Sequence, residues 1–358
     1  MGLSLLFSKV LLLVFVVDFM SQVCSQSSVF DVKDSGAVGD GKTDNTNAFL
    51  DAWKKACQSG GTVMIVGGTY LLKTIQFAGP CNGQVSFVVN AVIQAPQGQS
   101  NEHYWINFND INRLTIQGNG TFDGQGPSAW PFNDCHNAAS CSPLSPSLVL
   151  TKLNQSLVQN VKLLNSKGFQ MKIEECEKIT VNNITITAPA DSPNTDGIHT
   201  GNVNYINIVD SNIGTGDDCI SMGAGTTNIN IARVNCGPGH GISIGSIGKY
   251  STDQNVEGVK VENCTMSSTQ NGGSSHVQVK DIKFIRVSGT SASEIAVNLN
   301  CSSSNPCYDI ELNDINLSLE NGGKATSWCS NARVSYIGTQ NPASCQQALA
   351  PAMMLEYM

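Results

Sequence analysis

The chain has 358 residues, with 20 Lys and Arg against 28 Asp and Glu, for a formal net charge of -8. Charged residues are 13% of it, about half the usual share, and long basic runs are absent, which excludes nucleic acid as a partner and obliges any acidic polysaccharide to bind at a locally basic groove. No phosphate loop, dinucleotide fingerprint or serine nucleophile elbow occurs, so the chemistry those motifs carry is excluded too.

The chain opens with Lys9 ahead of the apolar run Val10 to Val17, followed by the small-residue site Val23-Cys24-Ser25. This predicts a secretory signal peptide over residues 1–25 and a secreted protein, with residues 26–358 forming one domain. The run is too short for a membrane span, and no later stretch approaches the roughly twenty apolar residues one requires. Removing Cys24 leaves twelve of the thirteen cysteines, an even number suited to an oxidising compartment. Plausible local pairs are Cys135 with Cys141, Cys219 with Cys236, Cys301 with Cys307 and Cys329 with Cys345. Zinc is the competing reading of clustered cysteines, but Cys-x-x-Cys and paired Cys/His spacings are missing, so neither metal nor other cofactor is expected. Sequons at Asn119, Asn154, Asn183, Asn263, Asn300 and Asn316 agree with secretion, although some of these asparagines could instead form interior ladders.

Next, Phe49, Ala52, Trp53 and Ala56 fall at i, i+3, i+4 and i+7, one apolar stripe on a helix whose start is signalled by Thr43-Asp44-Asn45-Thr46. Strand signals follow at Leu114-Thr115-Ile116 and Val158-Gln159-Asn160-Val161. They continue at Ile179, Ile206, Ile229, Val259, Ile282 and Ile310, each opening an alternating apolar and polar triplet. A period in the twenties without helical patterning between strands predicts an all-β fold, a parallel β-solenoid, for which the short N-terminal helix is the cap. Stacked coils bring equivalent positions roughly 4.8 Å apart, so residues twenty-odd positions apart become neighbours.

Asp196, Asp217, Asp218 and His240 recur at that spacing, 21 residues from 196 to 217 and 22 from 218 to 240. Paired carboxyls are what glycoside hydrolysis needs, one protonated beside the leaving oxygen and one ionised to activate water or attack the sugar. Mutual repulsion among three acids makes full ionisation costly, and the least solvated should keep its proton toward neutral pH. Gly239 and Gly241 leave bare backbone on both sides of His240 for close approach of a bulky ligand.

Ser192-Pro193-Asn194-Thr195-Asp196-Gly197-Ile198, Thr215-Gly216-Asp217-Asp218-Cys219-Ile220-Ser221 and Cys236-Gly237-Pro238-Gly239-His240-Gly241-Ile242-Ser243 resemble the signature segments of polygalacturonases, plant ones especially. The resemblance runs from about Phe30 to Cys345, beginning with Gly36-Ala37-Val38-Gly39-Asp40-Gly41-Lys42-Thr43-Asp44. It implies a right-handed parallel β-helix, expected as a monomer, that hydrolyses α-1,4 bonds between galacturonates of pectin with inversion and without a metal. By the same resemblance Asp217 is the general acid, Asp196 and Asp218 position and deprotonate the attacking water, and His240 supports the acid. Inversion requires about 6.5 to 9.5 Å between acid and base. Asn194 is expected to bind substrate or orient a carboxylate, Gln170 stands where many relatives have a groove histidine, and Gly239 and Gly241 are expected to border the substrate.

One departure stands out. After Thr269-Gln270-Asn271-Gly272 the family continues with Arg-Ile-Lys, whose two cations bind a substrate carboxylate, but this chain jumps to Gly273-Ser274-Ser275-His276-Val277-Gln278-Val279-Lys280. On the order of two coils are absent, a loss that a solenoid tolerates because each coil contacts only its neighbours. Lys249, Lys260 and Lys280 are candidate substitutes. The alternative function is therefore a catalytically impaired or inactive pectin-binding homologue or splice product. The apolar stretch from Ala348 to Met358 has no functional reading.

Overall fold

The computed structural model describes residues 28–345 except 101, 134–143, 246, 248–251, 270–278 and 304. The expected signal peptide, the Cys135–Cys141 pair, Lys249, the Gly272–Ser274 junction and the C-terminal stretch lie outside the described residues. None of the described helices is long and apolar enough to cross a membrane.

Short parallel strands stack coil on coil into a β-solenoid, and the predicted strand starts are the registered ones. Ile179 pairs with Ile206, Ile206 with Ile229, Ile229 with Val259, Val259 with Ile282, and Ile282 with Ile310. Upstream, Val158 pairs with both Ile116 and Val181. Because side chains alternate between faces along a strand, this register stacks each apolar residue on another inside the coil. The columns Ile179, Ile206, Ile229 and Val181, Ile208, Ile231 are each no more than 1% exposed.

Helix α1, Thr46–Ser59, buries Phe49, Ala52, Trp53 and Ala56 as the stripe predicts and ends at Gly60 in the left-handed region, φ 70°. Trp53 meets the rings of Phe77, Phe87 and Phe108 at centroid distances of 5.2, 6.5 and 5.6 Å. An aromatic plug thus seals the first coils and covers the end of their core. Single-turn 3-10 helices at Val32–Ser35, Gly126–Ser128 and Trp130–Phe132 are the remaining described helical pieces.

A seven-stranded sheet forms a separate face, built in space from Ile75–Ala78, Ile106–Asn109, Leu148–Thr151, Met171–Glu174, Ile198–Gly201, Ile220–Met222 and Ile242–Ile244. Among the described residues this sheet stops at Ile242–Ile244. The larger sheet continues past that level, since Val256–Glu262 pairs directly with Val279–Ser291. Beyond the stop, Ile295–Asn300 and Thr326–Ser330 pair as a sheet of their own.

Three of the expected disulfides are present, Cys219–Cys236, Cys301–Cys307 and Cys329–Cys345, together with an unanticipated Cys57–Cys81 that ties α1 to the first coils. Cys176 and Cys264 are free and buried. Asparagine pairs do form between coils, and the described ones lie at the surface: Asn183 bonds to Asn160 at 2.7 Å and Asn341 to Asn316 at 3.0 Å. The sequon asparagine Asn154 differs, being half-buried with an unpartnered buried Oδ1.

Candidate active site

The turns that lead into the strands of the seven-stranded sheet carry the predicted chemistry. Ile198, Ile220 and Ile242 are registered partners, so Asp196, Asp218 and His240, each two residues before its isoleucine, stand at equivalent places on three successive coils. Phe169 holds the same place before Met171, the partner of Ile198. Asp217, one residue earlier in its turn, joins them. A cavity of about 520 Å³ is lined by Phe169, Asn194, Asp196, Asp217, Asp218 and His240 among others.

Each carboxyl has a different environment. Asp196 is 5% exposed and accepts a hydrogen bond from the Ser221 hydroxyl at 2.6 Å. Asp218 accepts one from Ser243 at 2.5 Å. The two bonds are one device repeated a coil later, because Ser221 and Ser243 are themselves registered partners. Asp217 lies 2.8 Å from His240 Nδ1 and accepts the Asp218 amide at 2.9 Å. Burial, and then the charges of Asp196 and Asp217, push the Asp218 carboxyl up to about 7 against the pull of Ser243. The hydrogen bond to Asp217 raises His240 above the usual imidazole range. Asp217 and His240 therefore stand as hydrogen-bonded partners, and burial favours the neutral form of Asp218.

Ligand atoms of Asp217, Asp218 and His240 all lie within 4.8 Å of one another, close enough to hold a cation. The imidazole contact to Asp217 and the serine donor to Asp218 account for that closeness without one.

Sequence reasoning missed four residues. His199 Nδ1 lies 2.8 Å from Ser221 Oγ; since that hydroxyl donates to Asp196, His199 supplies the Nδ1 hydrogen, completing a relay from His199 through Ser221 to Asp196. The His199 ring stacks on Phe169, with centroids 4.6 Å apart and planes at 20°. Both rings line the cavity. The recurrence of 25 residues from Asp196 to Ser221 and from Asp218 to Ser243 was the one signal available for the serines.

Three expectations need correction. Gln170 is fully buried and does not line the cavity; its Oε1 accepts the Ser166 amide, and the groove position falls to Phe169, one residue earlier. Gly239 and Gly241 do not line it either. Gly239, at φ 135°, is required because a Cβ there would stand 2.3 Å from the Asp217 carbonyl oxygen. Lys260 and Lys280 are not substitute clamps, being ion-paired with Glu262 at 2.9 Å and Glu257 at 2.5 Å away from the cavity lining.

Glycosyl hydrolases family 28 matches this chain over residues 57–274 and 273–345. Exopolygalacturonase clone GBGA483 of Arabidopsis thaliana is 39% identical, covering 90% of this chain and 84% of that protein. The exopolygalacturonase of Platanus acerifolia is 38% identical over 373 positions that take in 90% of this chain and 98% of that protein. Since 90% of 358 residues is about 322, about 50 of those positions have no residue here. Endo-xylogalacturonan hydrolase from Aspergillus tubingensis shares the fold with a TM-score of 0.71 at 20% identity, over 87% of this chain and 100% of that one. The two family matches meet at Gly273 and Ser274, where the sequence shows its gap, and on the strength of their combined span the chain belongs to glycosyl hydrolases family 28.

Proposed function

We propose that the chain hydrolyses the glycosidic bonds of polygalacturonate, the acidic backbone of pectin, by direct displacement with inversion at the anomeric carbon. The observation that carries the mechanism is one cavity lined by Asp196, Asp217 and Asp218, with Asp196 and Asp218 held by serine hydroxyls and Asp217 by His240. Asp217 gives a proton to the leaving glycosidic oxygen as the C–O bond breaks. A water held by Asp196 and Asp218 loses its proton to them and bonds to the anomeric carbon from the opposite face. The proton that Asp217 gives up is balanced by the one the water leaves on Asp196 and Asp218. His240 orients Asp217 and stabilises its anion after transfer. The Ser221 and His199 relay fixes the Asp196 rotamer, and Asn194 borders the bound sugar. The disulfides and the exposed sequon asparagines Asn119, Asn183, Asn263 and Asn316 support a secreted, cell-wall setting.

A reducing-end assay on demethylated pectin tests the reading. The intact chain should release reducing ends, and Asp217→Asn should lower the rate by about a hundredfold or more because an amide cannot donate the proton. A chelator should leave the rate unchanged. Equal turnover by the variant would refute the acid assignment, and no release by the intact chain would refute the activity.

A further inference from the structure

A second cavity of about 470 Å³ lies along the same turns, further toward the N-terminal cap, and is lined by Lys73, Pro96, Glu102, Trp105, Ser147 and Lys167 among others. Its residues occupy the turns before Ile75–Ala78, Ile106–Asn109, Leu148–Thr151 and Met171–Glu174. Those turns are the upstream counterparts of the ones carrying Asp196, Asp218 and His240. Lys167 and Phe169 belong to one turn, and alternate residues of it face the two cavities. Strand spacing puts this turn one coil from Asp196 and two from Asp218, roughly 5 and 10 Å along the axis.

Lys167 is an unusual residue for such a place. It is 6% exposed, and its ammonium donates to the Pro96 carbonyl at 2.7 Å. An ammonium has three donors, and no carboxylate among the described residues lies within ion-pair reach of this one. Lys73 is already paired with Asp44 at 3.1 Å, and Glu102 stands exposed at the cavity with no described ion pair. Burial without a counter-charge pushes the Lys167 ammonium below the usual lysine range. Gly124 keeps the floor open, since a Cβ there would stand 2.5 Å from Ser147 Oγ and 2.6 Å from the Ser166 Cα. A buried cation that lacks a counter-ion and faces a cavity is costly unless something anionic arrives to complete it.

We propose that Lys167 is the core of an anionic-sugar subsite, binding the carboxylate of a uronate unit in the same polysaccharide whose scissile bond lies at Asp196, Asp217 and Asp218. This rests on the polyuronate reading of the active site and deepens it. The ligand carboxylate accepts the two free ammonium donors, and the sugar ring fills the cavity beside Trp105. A neutral or esterified unit at this position leaves the cation uncompensated.

The test is binding of hexagalacturonate and of its fully methyl-esterified form to the full chain, followed by calorimetry and tryptophan fluorescence. Wild type should bind the acid form about tenfold or more tightly than the ester. Lys167→Met, which keeps the length and packing of the side chain, should weaken the acid form by a similar factor while leaving the ester unchanged, and Lys167→Arg should recover most of the loss. On polygalacturonate, Lys167→Met should raise KM and leave kcat within about twofold. Equal affinity of wild type for acid and ester overturns the subsite without needing any variant, and so does an unchanged KM in a folded Lys167→Met. Hydrolysis that is indifferent to Lys167 would leave the catalytic reading standing, whereas charge-selective binding without hydrolysis would defeat that reading and keep the subsite.

Discussion

Ser221 and Ser243 illustrate how single residues set this site. Each hydroxyl donates to the carboxyl of the preceding coil, at 2.6 Å to Asp196 and 2.5 Å to Asp218, yet the two acids do not behave alike. Asp218 is lifted to about 7 because its burial outweighs the hydroxyl and two neighbouring carboxylates repel its charge. Its folded value lies above the ordinary 3.8, so between those limits the native state binds more protons than the unfolded chain. The stability Asp218 contributes is therefore complete below about pH 4 and is lost as pH rises through about 7. Asp218→Asn should flatten that decline, and thermal melts at pH 5 and pH 8 should show the variant gaining most at the higher pH. The reaction also needs one protonated carboxyl in this cluster. Initial rates on polygalacturonate should follow a bell whose alkaline limb falls as pH approaches 7, and a rate still rising past pH 8 would contradict the assignment.

At the level of elements, the turn that carries Asp217 and Asp218 is clamped from behind. Cys219 follows Asp218 directly and is bonded to Cys236 on the next coil, closing a loop with a sequence separation of 17. Chain-entropy arguments give about 3 kcal/mol for a loop of this size. The double variant Cys219→Ser, Cys236→Ser should lose about that much in urea unfolding, and should lose activity as well because His240 sits just beyond Cys236. The cap makes a different contribution. Trp53 is 4% exposed among three phenylalanines, and Trp53→Ala should destabilise by about 3 to 5 kcal/mol while leaving kcat of the folded fraction unchanged, since α1 lies several coils from the acids. Denaturation midpoint and single-temperature kinetics separate these two effects.

Across the whole molecule, the two sheets extend unequally among the described residues. Nine residues, 270–278, connect Thr269–Val279, whereas twelve, 215–226, connect Gly214 to Thr227 with a site strand between them. On either side of the shorter connection Val256–Glu262 still pairs in register with Val279–Ser291, whereas among the described residues the seven-stranded sheet stops at Ile242–Ile244. The Arg-Ile-Lys that the family resemblance leads one to expect after Gly272 is missing from this sequence. Two cations holding a substrate carboxylate contribute charge-assisted hydrogen bonds of roughly 1.5 to 3 kcal/mol each. Turnover should therefore fall about a hundredfold or more below that of an uninterrupted relative. Inserting the relatives' segment between Gly272 and Ser274 should restore the rate, as read by reducing-end release under matched conditions. Equal turnover before insertion would mean that the remaining residues suffice.

The sequence by itself determined the parts that obey a period. Strand starts from Ile179 to Ile310, the apolar stripe of α1, and the grouping of Asp196, Asp217, Asp218 and His240 all follow from alternation and a repeat in the twenties. Coils of that length stack wherever they occur, so a column could be read before any contact was known. Tertiary structure decided what depends on parity and on lateral partners. Gln170 faces the core and Phe169 the groove because a step of one residue reverses the face. The pairing of Ser221 with Asp196 and His199, and the stacking of His199 on Phe169, join residues of different coils whose turns vary in length. Lys167 gave no periodic signal at all. Its burial, its single carbonyl partner and the lack of a counter-ion among the described residues are properties of the cavity that four separate turns close around it, and no local pattern encodes them.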